Sequence, residues 1–268
     1  MSLDLSNTPV VSSELVVTDR AMATRVTFKV PSNLQNPGST DELDSALAAA
    51  KRVFHEVDET CTRFEQTSPL MQLNRSPQRW HKVPATLFRA IEEAKRAYDV
   101  TQGRFDPRVL SRLIALGYDR TLPFGHEEVE LDGSTRPSER RGLEPWRPRL
   151  RYGPHEVLVG DDPIDLGGIG KGLAVRWSSQ AINTALPNFL VEAGGDCYCA
   201  GLAEDGGPWR IGVEDPSDKS EPICVLGLRD RAVATSSIRL RHWARNGKRV
   251  HHLIDPRTGE PGGQGLTR

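Results

Sequence analysis

The sequence predicts an α+β fold, a single domain of mixed sheets with amphipathic helices packed on them. Strand-like runs lie toward both ends of the chain, and helical periodicity is concentrated between them. No regular strand–helix alternation marks a parallel βαβ sheet. The 268 residues are enough to bury one large core.

Residues 1–13 are polar and turn-rich, which predicts a flexible N-terminal arm, with the domain occupying 14–268. Glu14–Thr18 and Arg25–Val30 read as strands, the second alternating Val26, Phe28, Val30. Pro31 to Thr40 is a loop, and Ser39 or Thr40 can cap a helix carrying Leu43, Leu47, Phe54 and Val57. A second helix starts near Pro84, carries Leu87, Phe88, Ile91, Ala94 and Tyr98, and stops at Gly103. Each has one apolar face, which must lie against another element.

Between Tyr118 and Gly153, arginines alternate with prolines and acids, the pattern of a solvated surface excursion. Beyond it, His155–Val159, Asn188–Ala193, Trp209–Val213, Ile223–Leu228 and Ala232–Thr235 read as strands, with one helix from Lys171 to about Leu186.

Charge and composition narrow the function. Lys plus Arg number 35 against 36 for Asp plus Glu, a balance that argues against a nucleic-acid partner or an anionic membrane surface. No apolar run approaches the roughly eighteen residues of a membrane span, and the first thirty residues do not read as a signal peptide. Four cysteines do not make a disulfide scaffold. The expectation is a cytoplasmic protein with reduced thiols. Cys197 and Cys199 are two apart, on one face of a strand, without the second pair a zinc site needs.

Four stretches can carry chemistry. In Pro163-Ile-Asp-Leu-Gly-Gly-Ile-Gly-Lys-Gly, an apolar run meets glycines at 167, 168, 170 and 172 as a helix begins. Glycines let backbone N–H groups approach an anion, the helix N-terminus favours it, and Lys171 adds positive charge. Neither the Walker A nor the dinucleotide spacing is met, so a phosphate cradle and a tight structural turn both remain open. In Val250-His-His-Leu-Ile-Asp-Pro-Arg-Thr-Gly, His252 beside Asp255 is a workable general base. The other reading has His252 donating to a backbone carbonyl and Asp255 capping a turn. Gly103-Arg-Phe-Asp-Pro and Glu192-Ala-Gly-Gly-Asp place further acids and glycines at element ends.

Together these stretches resemble the ApbE family, the FAD:protein FMN transferases. The ordered set comprises Met22-Ala-Thr, Cys61-Thr-Arg-Phe-Glu, Gly103-Arg-Phe-Asp-Pro, Asp165-Leu-Gly-Gly-Ile-Gly-Lys-Gly, Gly194-Gly-Asp, Ala234-Thr-Ser-Ser and His252-Leu-Ile-Asp-Pro-Arg-Thr-Gly. The resemblance implies an enzyme that binds FAD and Mg²⁺. It would move FMN onto a Thr or Ser hydroxyl of a target flavoprotein and release AMP. It implies His252, oriented by Asp255, as the base, and Gly167, Gly168 and Lys171 at the pyrophosphate. Met22 and Phe64 would flank the flavin or adenine, Phe64 standing where many relatives have Tyr. Arg104, Phe105 and Asp106 would line the nucleotide, with Leu173 and Ile254 packed near it. Gly170 would offer its carbonyl to Mg²⁺, which is usually held by carboxylates as well. Family members carry those on a segment after the aspartate-proline motif, and the sequence runs from that motif to Arg268 without it. Two further readings follow from the same residues. One is FAD hydrolysis to FMN and AMP, and the other is non-catalytic FAD binding.

Overall fold

A computed structural model describes residues 14–32, 39–120, 130–131, 144–215, 220–238 and 241–263. The arm predicted over 1–13 lies outside them, as does most of the arginine-rich stretch. In chain order the elements are β1 (Glu14–Ala21), β2 (Thr24–Pro31), α1 (Thr40–Cys61), α2 (Pro69–Asn74), β3 (His81–Lys82), α3 (Ala85–Val100), α4 (Leu110–Ala115), β4 (Glu130–Leu131), β5 (Arg149–Arg151) and β6 (Glu156–Leu158). They continue as α5 (Gly170–Asn183), β7 (Phe189–Ala193), β8 (Asp196–Ala200), β9 (Trp209–Glu214), β10 (Pro222–Leu228), β11 (Arg231–Val233), β12 (His242–Arg245) and β13 (Lys248–His251). The class is α+β, with all but one of the strand pairings antiparallel among the described residues. No helix among them is long and apolar enough to cross a membrane.

The chain forms two compact units, one from residues up to Lys51 with Val175–Ala234, the other from Arg52–Ala174 with the residues from Thr235 onward. The first holds a five-stranded sheet in the order β1-β2-β7-β8-β11 and the two-stranded ribbon of β9 and β10. Val26, Phe28 and Val30 are all buried, as their alternation predicts, while the partner faces of β2 stay half exposed. β1 and β2 are joined by Met22 and Ala23, both at positive φ (54° and 56°), the two-residue turn that matches strand twist. β7 and β8 are joined in the same way by Gly194 and Gly195. Val26 pairs with Ala193, so both tips lie at one end of the sheet. β11 also finishes there, since Val233 lies opposite Cys197, and the chain leaves through Ala234. Three stretches far apart in sequence thus converge on one sheet end.

The second unit holds two three-stranded sheets, β13-β12-β4 and β3-β6-β5, with α2, α3 and α4. Its apolar centre includes Leu113, Leu116, Tyr118 and Trp243, against which Phe64, Val109, Val250 and Ile254 pack.

Helix ends follow local chemistry. Ser39 and Glu42 cap α1 reciprocally, Glu42 accepting from the Ser39 N–H at 2.9 Å and Ser39 Oγ from the Glu42 N–H at 3.3 Å. α3 ends at Val100 rather than Gly103, because Gln102 enters the left-handed region at φ 54°. The Gly103 N–H then returns to the Tyr98 carbonyl at 2.8 Å. The sequence reading missed α2 and α4, each six residues long. It also extended the strand ending near Thr235, which stops at Val233.

The predicted surface excursion needs correction at its described ends. Tyr118 and Trp146 are buried, and Trp146 donates Nε1–H to the Val159 carbonyl at 2.9 Å. Arg149–Arg151 forms β5, where Arg151 lies 4.0 Å over the Trp80 ring. The Tyr118 and Trp146 rings win over the surrounding charge because each buries a large apolar area.

Candidate active site

The second unit gathers most of the predicted site residues. The glycine turn is tied to the Gly103–Pro107 loop by the Asp165 N–H, which donates to the Pro107 carbonyl at 2.7 Å. Gly168 lies against Phe105, so that a Cβ on Gly168 would stand 3.2 Å from the ring. Any side chain here would press on the Phe105 ring, so the close approach favours glycine.

The N–H groups of this turn are partly spent within it. The Gly167 N–H goes to Asp165 Oδ1 at 2.8 Å, and the Gly170 N–H to the Leu166 carbonyl at 2.8 Å. Gly167 and Gly168 themselves are exposed, and Gly172 has open space where a Cβ would be. An anion at this turn therefore meets Gly168 and the start of α5 with Lys171, rather than a ring of N–H groups from every glycine. Leu173, two residues beyond Lys171, is buried.

His252 sits just past β13, and its Nδ1 lies 3.2 Å from the Arg241 carbonyl. An N–H must occupy Nδ1 to make that bond, which leaves Nε2 as the lone-pair nitrogen. Burial lowers its pKa to about 4, aided by the charges of Arg241 and Lys171, against the raising effect of the Arg241 carbonyl. It is an uncharged imidazole at neutral pH.

Asp255 takes the turn-capping place of the second sequence reading, with His252 on a main-chain carbonyl. Its Oδ1 accepts from the Arg257 N–H at 2.9 Å and from Arg257 Nε at 3.0 Å, and its Oδ2 from Nη2 at 2.8 Å. The imidazole is held by a main-chain carbonyl and the carboxylate by an arginine, because the Pro256 turn folds Arg257 back over Asp255. Asp106, Pro107 and Arg108 repeat that device, with contacts of 2.9, 3.0 and 2.7 Å. There Arg108 turns inward, its Nη1 reaching the Glu144 carbonyl at 2.9 Å. Arg257 is instead largely exposed.

Arg104, Leu253, Ile254, Asp255, Arg257 and Gly262 line a cleft of about 270 Å³. Arg104, the paired Arg257 and Asp255, an apolar wall and glycine backbone give it the character of a site for a polar, partly apolar ligand. The loop forming one wall is pinned from α4. Arg112 donates Nε–H to the Gly259 carbonyl at 2.7 Å and pairs with the Glu260 carboxylate. Phe64 is half-buried, with the Arg63 guanidinium 4.3 Å from its centroid and the Tyr118 ring 5.5 Å away.

Met22 belongs to the first unit, at the β1–β2 tip, so the arrangement above does not include it. For Mg²⁺ the described residues supply a backbone carbonyl and no grouped side-chain donors. Among the described residues no three His, Cys, Asp or Glu side chains are grouped to hold a metal. Asp106, Asp165 and Asp255 each face an arginine, which leaves the Gly170 carbonyl as the one predicted ligand.

Sequence reasoning did not single out Arg63, Arg108, Arg112, Arg241 or Arg257. Arg108 and Arg257 carried a readable signal, each the residue two after an aspartate across a proline. The others act through contacts between distant segments.

An α+β chain that brings a glycine-lysine turn, a neutral histidine and an arginine-lined cleft into one unit has the parts of an enzyme handling a phosphate-bearing ligand. Comparison with known proteins specifies the family. The ApbE family profile matches residues 22–268. A Chlamydia pneumoniae protein named FAD:protein FMN transferase is 30% identical over 241 residues, covering 83% of this chain and 68% of its own. A Vibrio cholerae protein of the same name is 28% identical over 236 residues, 85% of this chain and 68% of its own. Among solved structures, the ApbE protein of Thermotoga maritima superposes with a TM-score of 0.75 at 27% identity, covering 92% of this chain and 78% of that one. The chain belongs to the ApbE family.

Proposed function

We propose that this chain is an FAD:protein FMN transferase, moving FMN from FAD to a Thr or Ser hydroxyl of a target flavoprotein and releasing AMP. The observation that carries the reading is the neutral His252, with Nδ1 engaged and Nε2 available, in one unit with Lys171 and the arginine-lined cleft. Relatives named for this activity support it.

In the reaction the acceptor oxygen attacks the phosphorus on the FMN side of the pyrophosphate. The new O–P bond forms as the anhydride P–O bond breaks, and AMP leaves with the electron pair. His252 Nε2 takes the hydroxyl proton. Lys171 and the start of α5 hold phosphate oxygens and offset their charge, while Arg104 and the Ile254 wall hold the remainder of the dinucleotide. Phe64 supplies a face on which a flat ring can lie. Mg²⁺, as the family implies it, would offset charge on the pyrophosphate, with the Gly170 carbonyl as this chain's contribution to holding it. The acceptor would be a flavoprotein of the same compartment, the cytoplasm on the sequence reading.

The test is AMP release from FAD, with and without Mg²⁺, in the presence of a protein acceptor carrying an exposed threonine segment. AMP together with covalent flavin fluorescence on the acceptor is the expected result. AMP with no labelled acceptor would indicate a hydrolase, and saturable FAD binding without AMP a flavin-binding protein.

A further inference from the structure

Arg63 lies in the same short stretch as Phe64, and its side chain is 6% exposed. Its Nε is 2.8 Å from Asp165 Oδ2, and its Nη1 donates to the Tyr118 carbonyl. Its guanidinium carbon lies over two neighbouring rings, 4.3 Å from the Phe64 centroid and 4.1 Å from that of Tyr118, the two rings being 5.5 Å apart. Its third nitrogen, Nη2, is buried and has no acceptor among the described residues. On the far side of the pair, Asp165 uses Oδ1 to hold the Gly167 N–H at 2.8 Å. Tyr118 carbonyl, Arg63, Asp165 and Gly167 thus form one continuous line of hydrogen bonds.

Energetically this is a poor way to stabilise a fold. Removing two charges from water costs several kcal/mol per ion, on the order of what their attraction returns, unless every donor is satisfied. One guanidinium nitrogen here is not. What the pair does supply is geometry. One end fixes the turn that leads into Lys171, and the flat face fixes the Phe64 ring.

We propose that Arg63 is a positioning residue of the flavin-nucleotide site, setting the glycine turn through Asp165 and the Phe64 ring through its guanidinium face. This rests on the FAD reading above. Removing the charge from both partners at once should therefore leave stability intact while loosening the site.

The experiment compares the wild type with the Arg63→Gln/Asp165→Asn double variant and with Arg63→Lys. It measures FAD affinity by flavin fluorescence, thermal unfolding, and the kcat and KM of AMP release. The double variant is expected to melt within a few degrees of the wild type or above it, with FAD affinity weakened by about tenfold. Arg63→Lys keeps the charge but cannot lie flat on Phe64 or reach Tyr118 as a fork. It should raise the KM for FAD by about five- to tenfold with kcat nearly unchanged. Wild-type FAD affinity in a well-folded double variant overturns the proposal and leaves a structural ion pair. If the double variant does not fold, a wild-type KM in Arg63→Lys overturns it equally. A wild-type chain that does not bind FAD counts against the functional reading itself, which distinguishes the two failures.

Discussion

His252 enters neutral solution as an uncharged base because its surroundings resist a second proton. Burial and the nearby Arg241 and Lys171 charges take its pKa to about 4, below the ordinary 6.5. The acid limb of the rate profile is therefore expected near pH 4 to 5, and a limb centred at 6.5 would show that burial does not hold the His252 imidazole neutral as described. His252→Ala should abolish transfer while FAD affinity stays within about threefold, since Nε2 acts on the acceptor proton and not on the dinucleotide. Lys171→Ala should do the reverse. The loss of one charged phosphate contact, worth about 1.5–3 kcal/mol, predicts FAD binding weaker by roughly ten- to a hundredfold, read by titration of flavin fluorescence. At this scale the sequence supplied the chemistry of His252 and Lys171 directly. It could not supply the partner of His252, because Arg241 is eleven residues away and contributes a carbonyl that every residue has.

The elements place these side chains through a small number of tethers. α4 reaches the Asp255–Pro261 loop through Arg112, which spends Nε on Gly259 and pairs with Glu260. Arg112→Ala should free that loop, with faster amide exchange over 254–262 and FAD affinity lowered several-fold, at a stability cost of about 1–2 kcal/mol. Unchanged exchange in that loop would show that its own turn bonds suffice. At the β1–β2 tip, Ala23 holds φ 56° without being glycine. Ala23→Gly is expected to raise the melting temperature, by relieving about 1 kcal/mol of left-handed strain. A fall would mean that the Ala23 methyl is making contacts worth more than the strain. Long elements were readable because periodicity accumulates over many residues, as in β2 and α1. The six-residue α2 and α4 were not, since one and a half turns give too few positions to show a period. Trp146 escaped notice because charged neighbours outvote a single indole in any composition-based reading of its segment.

For the whole molecule, the depressed histidines set a direction for acid stability. His252 binds its proton at about pH 4 when folded and near 6.5 when unfolded. The unfolded chain therefore carries more protons across that window, and stability contributed by the neutral form above 6.5 is lost as pH falls toward 4. His251, lowered chiefly by burial, acts with the same sign. Melting temperature should decline from pH 7 to pH 4, and His252→Asn should flatten that decline. A slope unaltered by the substitution would place the linkage in other groups.

The amino-acid sequence by itself determined the α+β class, the long strands and helices, the family resemblance and the residue types that could do chemistry. Those follow from local periodicity, turn propensity and ordered motifs, all of which are written along the chain. Only the tertiary structure decided which charge faces which. It closed Arg257 over Asp255, turned His252 to a carbonyl, buried Arg63 against Asp165 and brought the Met22, Gly194 and Ala234 stretches to one sheet end. Apart from the local closure of Arg257 on Asp255, these hydrogen bonds, ion pairs and strand registers join residues from eleven to more than a hundred positions apart. Their strength depends on burial and distance, which local sequence does not encode.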